Sequence, residues 1–339
     1  FEYFTGLSSK IFKHSYFKFI EYRKVAYVIS AVVLVLGIGA IIHGFDEGVE
    51  FKGGRSYTVE FYHKYNTDSI ANALKNVFGE FPIVKTVGSG SQLNITTSFK
   101  IEDTKSSTDS LVETTLYEGL KKYAFIPESV AYKTFDVRYK QSSQTVEPSI
   151  SSELKSGAIK AGAIAIIIIC LYIFIRFRDW RYSVGTIVSL FHDVFVILAV
   201  FSFCRSIVPF PLEIDQYFIA AVLTVIGFSM NDTVIVYDRI REDVKLMRGE
   251  SKEAIINRAI NQTLSRTVMT SLTVFLTILI LFIFGGAVTR GFAFAMLVGV
   301  ITGTYSSIFV AAPILVDFAK NKPLGKTPEN AAKPAVAKK

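Results

Sequence analysis

Three ionisable residues interrupt long apolar runs. Asp193 lies in Phe191-His192-Asp193-Val194, Asp232 in Gly227-Phe228-Ser229-Met230-Asn231-Asp232-Thr233, and Arg266 in Ser265-Arg266-Thr267. A carboxyl group can bind and release a proton, whereas a guanidinium stays charged. An acid beside an arginine in an apolar setting therefore suits proton transport, with the acid as carrier and the arginine as counter-ion. Asp232 and Arg266 each lie a short distance from the same-side ends of two consecutive, opposed runs, so their depths match and a pair is expected. Asp193 is a third candidate for the proton path. Asn231, Thr233 and His192 adjoin the two acids and are expected to support them. Beyond Arg266, hydroxyls recur at Thr270, Thr273 and Thr277. These fall at i+4, i+7 and i+11 and share one helical face. Such a stripe can hold waters for a proton relay, or its hydroxyls can bond across helices or back to their own backbone.

Positioning these residues requires membrane helices. An apolar run of about twenty residues crosses the roughly 30 Å hydrocarbon core, and six runs qualify: 25–42, 154–175, 182–204, 217–237, 268–284 and 292–318. An ionisable residue at the centre of such a span costs at least ~2.5–3.5 kcal/mol, so each is a candidate for function. Composition agrees. Of 339 residues, 50% are hydrophobic and 19% charged, below the roughly 25% charge of soluble domains. That excludes an ordinary soluble enzyme, a disordered chain and a disulfide-stapled scaffold. Cys170 and Cys204 both sit in apolar runs, which suits small core hydrophobes rather than a disulfide or a metal site. No cofactor or metal is expected.

The net charge of +8 invites a nucleic-acid reading, but the basic residues are dispersed. They cluster before the first run (Lys10 to Lys24), after the second (Arg176, Arg178, Arg181), after the fourth (Arg239 to Arg258) and in the tail (Lys320 to Lys339). The alternate short loops hold only Arg205 and Arg290. Positive loops face the cytoplasm, so both termini are expected there, with the long polar insert on the other side. The first run is not a cleaved signal peptide, because no A-x-A-like site follows it. The chain opens on Phe1, which suggests a processed chain or part of a longer one.

The expected layout is therefore a polytopic helical membrane protein. It comprises a cytoplasmic segment 1–24, a first span 25–43, an extracytoplasmic α+β domain 44–153, a five-helix bundle 154–318 and a basic tail 319–339. Within the insert, Ser56 to Tyr62 alternates as a strand, Asn66 caps a helix to about Phe78, and 83–87 and 93–97 are strands around Gly88-Ser89-Gly90. A helix over 107–123 and a last strand over 130–139 complete a βαββαβ, ferredoxin-like order. His63 is isolated and no acid–base constellation is present, so the domain suits docking rather than catalysis. Gly53-Gly54 suits a tight turn, since a phosphate cradle needs a longer glycine-rich loop before a helix. Ala295, Gly299, Gly303 and Ser307 form a small-residue ridge for close packing, as do Gly157, Ala161 and Ala165. The stretch 238–264 is expected to lie on the inner surface as an amphipathic loop.

Four ordered motifs resemble one family, the SecF protein-export membrane subunits of the resistance–nodulation–division superfamily. They are Phe51-Lys52-Gly53-Gly54, Phe191-His192-Asp193-Val194, Asn231-Asp232-Thr233 through Tyr237-Asp238-Arg239-Ile240-Arg241-Glu242, and Ser265-Arg266-Thr267 through Thr270-Ser271-Leu272-Thr273. The resemblance covers nearly the whole chain. It departs at Val146-Glu147-Pro148, where the family usually has a glycine before the proline. The resemblance implies a bacterial inner-membrane subunit that works with SecD. It implies that proton flow drives domain motion, drawing preproteins from the SecYEG channel after SecA has pushed them in. It also implies a YajC-type accessory protein, roles in proton transport for Asp232 and Arg266, and a further acid supplied by SecD. Because some bacteria fuse SecD and SecF, the start at Phe1 suggests the second half of such a fusion. Two other readings stand beside this one: half of a small-molecule or lipid exporter of the same superfamily, and a non-transporting scaffold of the translocon.

Overall fold

Among the described residues, six helices are long and apolar enough to cross a membrane. In this computed structural model, which describes residues 16–319 apart from 88–90, 104, 209, 211, 248 and 286, they run as follows. Span one is α1 (Arg23–His43), and span two is α6 (Pro148–Phe177). Span three is α7 (Trp180–Cys204), span four α8 (Gln216–Leu246) and span five α9 (Lys252–Phe284). Span six is α10 (Ala287–Ser306), a π turn (Ser307–Ala311) and α11 (Ala312–Ala319). The N-terminal residues before 16 and the tail beyond 319 lie outside the described residues.

Between spans one and two come β1 (Asp46–Glu47), α2 (Val49–Lys52), β2 (Gly54–Glu60), α3 (Thr67–Phe78), β3 (Ile83–Val87), β4 (Gln92–Thr97), α4 (Ser106–Lys122), α5 (Tyr132–Thr134), a π turn (Phe135–Tyr139) and β5 (Lys140–Val146). The sheet order is β3-β4-β2-β5, with every neighbouring pair antiparallel. One face is apolar: Tyr57, Val59, Leu93 and Ile95 pack under Ile70, Leu74 and Phe78 of α3 and Leu116 and Leu120 of α4. Asn66 caps α3 by accepting from Asp68 N–H at 2.7 Å, and Gly79 ends it in the left-handed region at φ 76°. Gly53 and Gly54 have φ of 73° and 139°, so this tight turn needs glycine. The Gly88-Ser89-Gly90 turn lies outside the described residues.

The other sheet face is polar. Ser56 donates to Asn94 Oδ1 at 2.8 Å and Thr96 to Ser56 Oγ at 3.0 Å. It looks across a cavity of about 340 Å³ to Glu213, Asp215 and Tyr217 at the start of span four. Two devices tie the sheet domain there. Lys85 pairs with Glu213 at 2.9 Å. β1 pairs in parallel with β6 (Glu213–Ile214), Asp46 against Glu213 and Glu47 against Ile214.

Two expectations are corrected. The last strand is not 130–139 but Lys140–Val146, and 132–139 is helical. Phe135 and Tyr139 are both buried while Val137 is exposed. That burial fits a four-residue helical spacing and not a two-residue strand spacing, which would put all three on one face. The true strand is a polar edge with almost no apolar signal, held by its ladder to β2. The stretch 238–264 is not a surface loop. Span four continues to Leu246, and span five starts at Lys252, capped by Ser251 accepting from Ala254 N–H at 3.2 Å. Ile240 and Ala259 are buried in the bundle core and Ile255 is also buried, so the apolar positions seal a helical hairpin.

Candidate functional site

Span six is the most enclosed of the six helices, and its small residues explain why. A Cβ on Gly299 would collide with Val225, and one on Gly303 would sit 3.0 Å from Ser229 Cβ. Spans four and six therefore approach closely along Ala295, Gly299, Gly303 and Ser307, and Ala295 and Ser307 are fully buried. The second small-residue group behaves differently, since a Cβ on Gly157 would meet no other part of the described residues within 4 Å. Both Cys170 and Cys204 are free.

The close approach places polar groups between the helices. Asp193 and Asp232 are both 0% exposed. Asp193 Oδ2 accepts from Ser229 Oγ at 2.6 Å and Ser306 Oγ at 2.8 Å, so spans three, four and six meet on one oxygen. Its Oδ1 lies 3.2 Å from His192 Nδ1. His192 stacks on Tyr305, centroids 5.6 Å apart, and its Nε2 has no hydrogen-bond partner among the described residues.

Asp232 is held more loosely. Its Oδ2 accepts a long bond from Ser271 Oγ of span five at 3.4 Å, and its Oδ1 has no hydrogen-bond partner among the described residues. Arg266 lies within electrostatic reach of this carboxylate. Beside it, Thr233 Oγ1 and Ser307 Oγ are 2.9 Å apart, and Ser271 Oγ and Thr304 Oγ1 are 2.6 Å apart. Asn231 lies on the exposed side of span four.

The threonine stripe does not face the acids. Thr270 donates to the Arg266 and Thr267 carbonyls, Thr273 to Met269 and Thr277 to Thr273. Thr273 and Thr277 are exposed on the outside of the chain. Back-bonding of this kind is the ordinary fate of a helical threonine. The hydroxyls that do reach the acids are Ser229, Ser271 and Ser306, none of which stood out in sequence. Ser229 precedes Asp232 by three residues and so shares its face, which is the one signal that marks it. The arrangement offers two buried carboxyl groups of unequal saturation, one arginine, and serine and threonine hydroxyls that can rotate between partners.

Comparison with known proteins agrees with the residues. Residues 128–321 match the family described as protein export membrane protein SecD/SecF, C-terminal. Among similar proteins, the protein translocase subunit SecF of Rhodothermus marinus is 40% identical over 309 residues, covering 91% of this chain and 95% of the relative. That of Haemophilus influenzae is 36% identical over 301 residues, covering 88% and 85%. The crystal structure of SecDF, a translocon-associated membrane protein from Thermus thermophilus, superposes with a TM-score of 0.76 at 31% identity. The chain matches 39% of that longer SecDF chain, with 91% of its own residues covered. SecDF in its super-membrane-facing form gives a TM-score of 0.60. With matched residues spanning the bundle, the two acids and the arginine, the chain belongs to the SecD/SecF family of protein-export membrane proteins.

Proposed function

We propose that the chain is a SecF-like subunit of the Sec protein-export machinery. It works with SecD and uses the proton-motive force to promote late preprotein translocation through SecYEG. In this reading Asp232 carries the proton, Arg266 is its fixed counter-ion, and Asp193 completes the polar centre. The observation that carries the reading is the Asp232 carboxylate, wholly buried, with one oxygen unbonded and an arginine in electrostatic reach. A buried, unsatisfied acceptor costs about 1–3 kcal/mol, and such strain inside a membrane marks a working group. The energy scale suffices: a proton crossing ~100 mV releases about 2.3 kcal/mol, and a pH unit adds about 1.4 kcal/mol.

The chain sits in this proposal in the bacterial inner membrane, with both termini cytoplasmic and the sheet domain outside. That domain takes a ferredoxin-like fold, a reading supported by its interleaved strand order. Spans two and five leave much of their surface uncovered, which suits a SecD bundle as neighbour, with a YajC-type accessory protein as a further partner.

The test is Asp232→Asn in cells or proteoliposomes with SecD present. The expected result is normal assembly with loss of proton-dependent export. Full export by that variant overturns the proton-carrying role.

A further inference from the structure

Ser271 has one hydroxyl proton and three oxygens around it. They are Asp232 Oδ2 at 3.4 Å, its own Thr267 carbonyl at 2.8 Å and Thr304 Oγ1 at 2.6 Å. Thr304 in turn lies 2.9 Å from the Val300 carbonyl, one turn back in span six. In a hydroxyl–hydroxyl contact one oxygen donates and the other accepts. The direction of the Ser271–Thr304 bond therefore decides what each residue does elsewhere. When Ser271 donates to Thr304, Thr304 is free to bond Val300, and Ser271 has no proton left for Asp232. When Thr304 donates to Ser271, the Val300 carbonyl loses that bond and the Ser271 proton is released to the Thr267 carbonyl or, drawn by its charge, to an ionised Asp232. A carboxylate only accepts, whereas a protonated carboxyl also donates. Ionised Asp232 thus selects the second arrangement, and protonated Asp232, donating to Ser271, selects the first.

We propose that the Ser271–Thr304 pair is a direction switch that passes the protonation state of Asp232 to the backbone of span six, making both positioning residues of the transport cycle. The proposal rests on Asp232 as proton carrier and adds the route by which its charge becomes motion. Each hydroxyl keeps its own proton and only rotates, so no further reactant is needed. A threonine bonded to the carbonyl four residues back bends its helix. Span six is already irregular at this point, because the π turn Ser307–Ala311 begins three residues after Thr304, and π turns concentrate at functional sites. Ser306, between the two, holds Asp193. The other ionisable groups of this polar cluster are Arg266 on span five, Asp193 and His192 on span three, and Tyr305 on span six. Span two brings no charged side chain between Lys160 and Arg176.

The test uses the chain assembled with SecD in proteoliposomes. Spin labels at the sheet-domain ends of spans four and six report their separation at acid and neutral pH, and infrared spectroscopy follows the carboxyl band that Asp232→Asn removes. The expected result is a pH-dependent separation that Thr304→Val and Ser271→Ala each abolish while the Asp232 band still titrates. Proton-driven export should fall about tenfold in both, the scale of one lost hydrogen bond to a charged group. Thr304→Ser and Ser271→Thr, which keep a hydroxyl, should restore both readouts. A separation that still responds to pH in Thr304→Val and Ser271→Ala, but not in Asp232→Asn, overturns the switch and leaves the carrier standing. A response that survives Asp232→Asn overturns the carrier itself. Loss of the titrating band in both hydroxyl-deleted variants assigns the pair a structural role and overturns the switch.

Discussion

Asp193 and Asp232 bring the same functional group into the same apolar interior, and their neighbours treat them differently. Two serines and a histidine surround Asp193, whereas Asp232 has one long hydrogen bond and an unbonded oxygen. A satisfied acceptor stabilises, and an unsatisfied one is available for change. Asp193→Ala strips the shared acceptor from Ser229 and Ser306 and should destabilise by about 1–3 kcal/mol. Asp232→Asn should cost less, since the amide has donors for the empty side. Thermal unfolding of the two purified variants in detergent checks the order. The acids and Arg266 were legible in the sequence because charge in an apolar run is conspicuous in one dimension. The serines were not, because a hydroxyl becomes informative only through what lies across the helix interface. The threonine stripe misled for a related reason, since its regular spacing says which residues share a face but not which way that face points.

Between spans four and six, the spacing of small residues sets how near the hydroxyls come to the acids. Gly303 faces Ser229, whose hydroxyl bonds Asp193. Gly303→Val inserts atoms where there is no room, and overpacking of this kind costs about 1–3 kcal/mol. The expected outcome is a lower melting temperature together with reduced export, because the serine is pushed off its carboxylate. At Gly157 an added Cβ meets no neighbouring element among the described residues, so Gly157→Val should leave the melting temperature of the isolated chain unchanged. At the far end of the hairpin, Ser251→Ala removes a cap worth about 0.5–2 kcal/mol, and hydrogen exchange at residues 252–255 should quicken. The long spans were visible in the sequence because twenty apolar residues leave few alternatives. The strand β5 was not, because a polar edge strand is specified by its ladder to β2 rather than by its side chains. Likewise, the helical extensions at 238–264 have the same amphipathic spacing whether they lie on a membrane or close a hairpin.

At the scale of the whole molecule, the junction between the sheet domain and the spans is held by ion pairs and one short ladder. Asp215 caps span four by accepting from Phe218 N–H at 2.7 Å. Burial, reinforced by Glu50 and Glu213, pushes its carboxyl up to about 6. The unfolded value is about 3.9, so between roughly pH 4 and 6 the folded state holds a proton that the unfolded state releases. The stability Asp215 contributes is therefore full at the acid end and is lost as pH rises through 6. Limited proteolysis at residues 213–218 should be slower at pH 5 than at pH 7. Asp215→Asn, which keeps the cap, should flatten that difference. The pairing of Asp46 with Glu213 also has a bearing on biogenesis. Translation delivers Asp46 as span one emerges, but its ladder partner arrives only after the sheet domain and spans two and three have been made. Until span four enters the bilayer, the newly made domain lacks both the ladder to β6 and the Lys85–Glu213 ion pair. Its final seating is then one of the last events of membrane insertion.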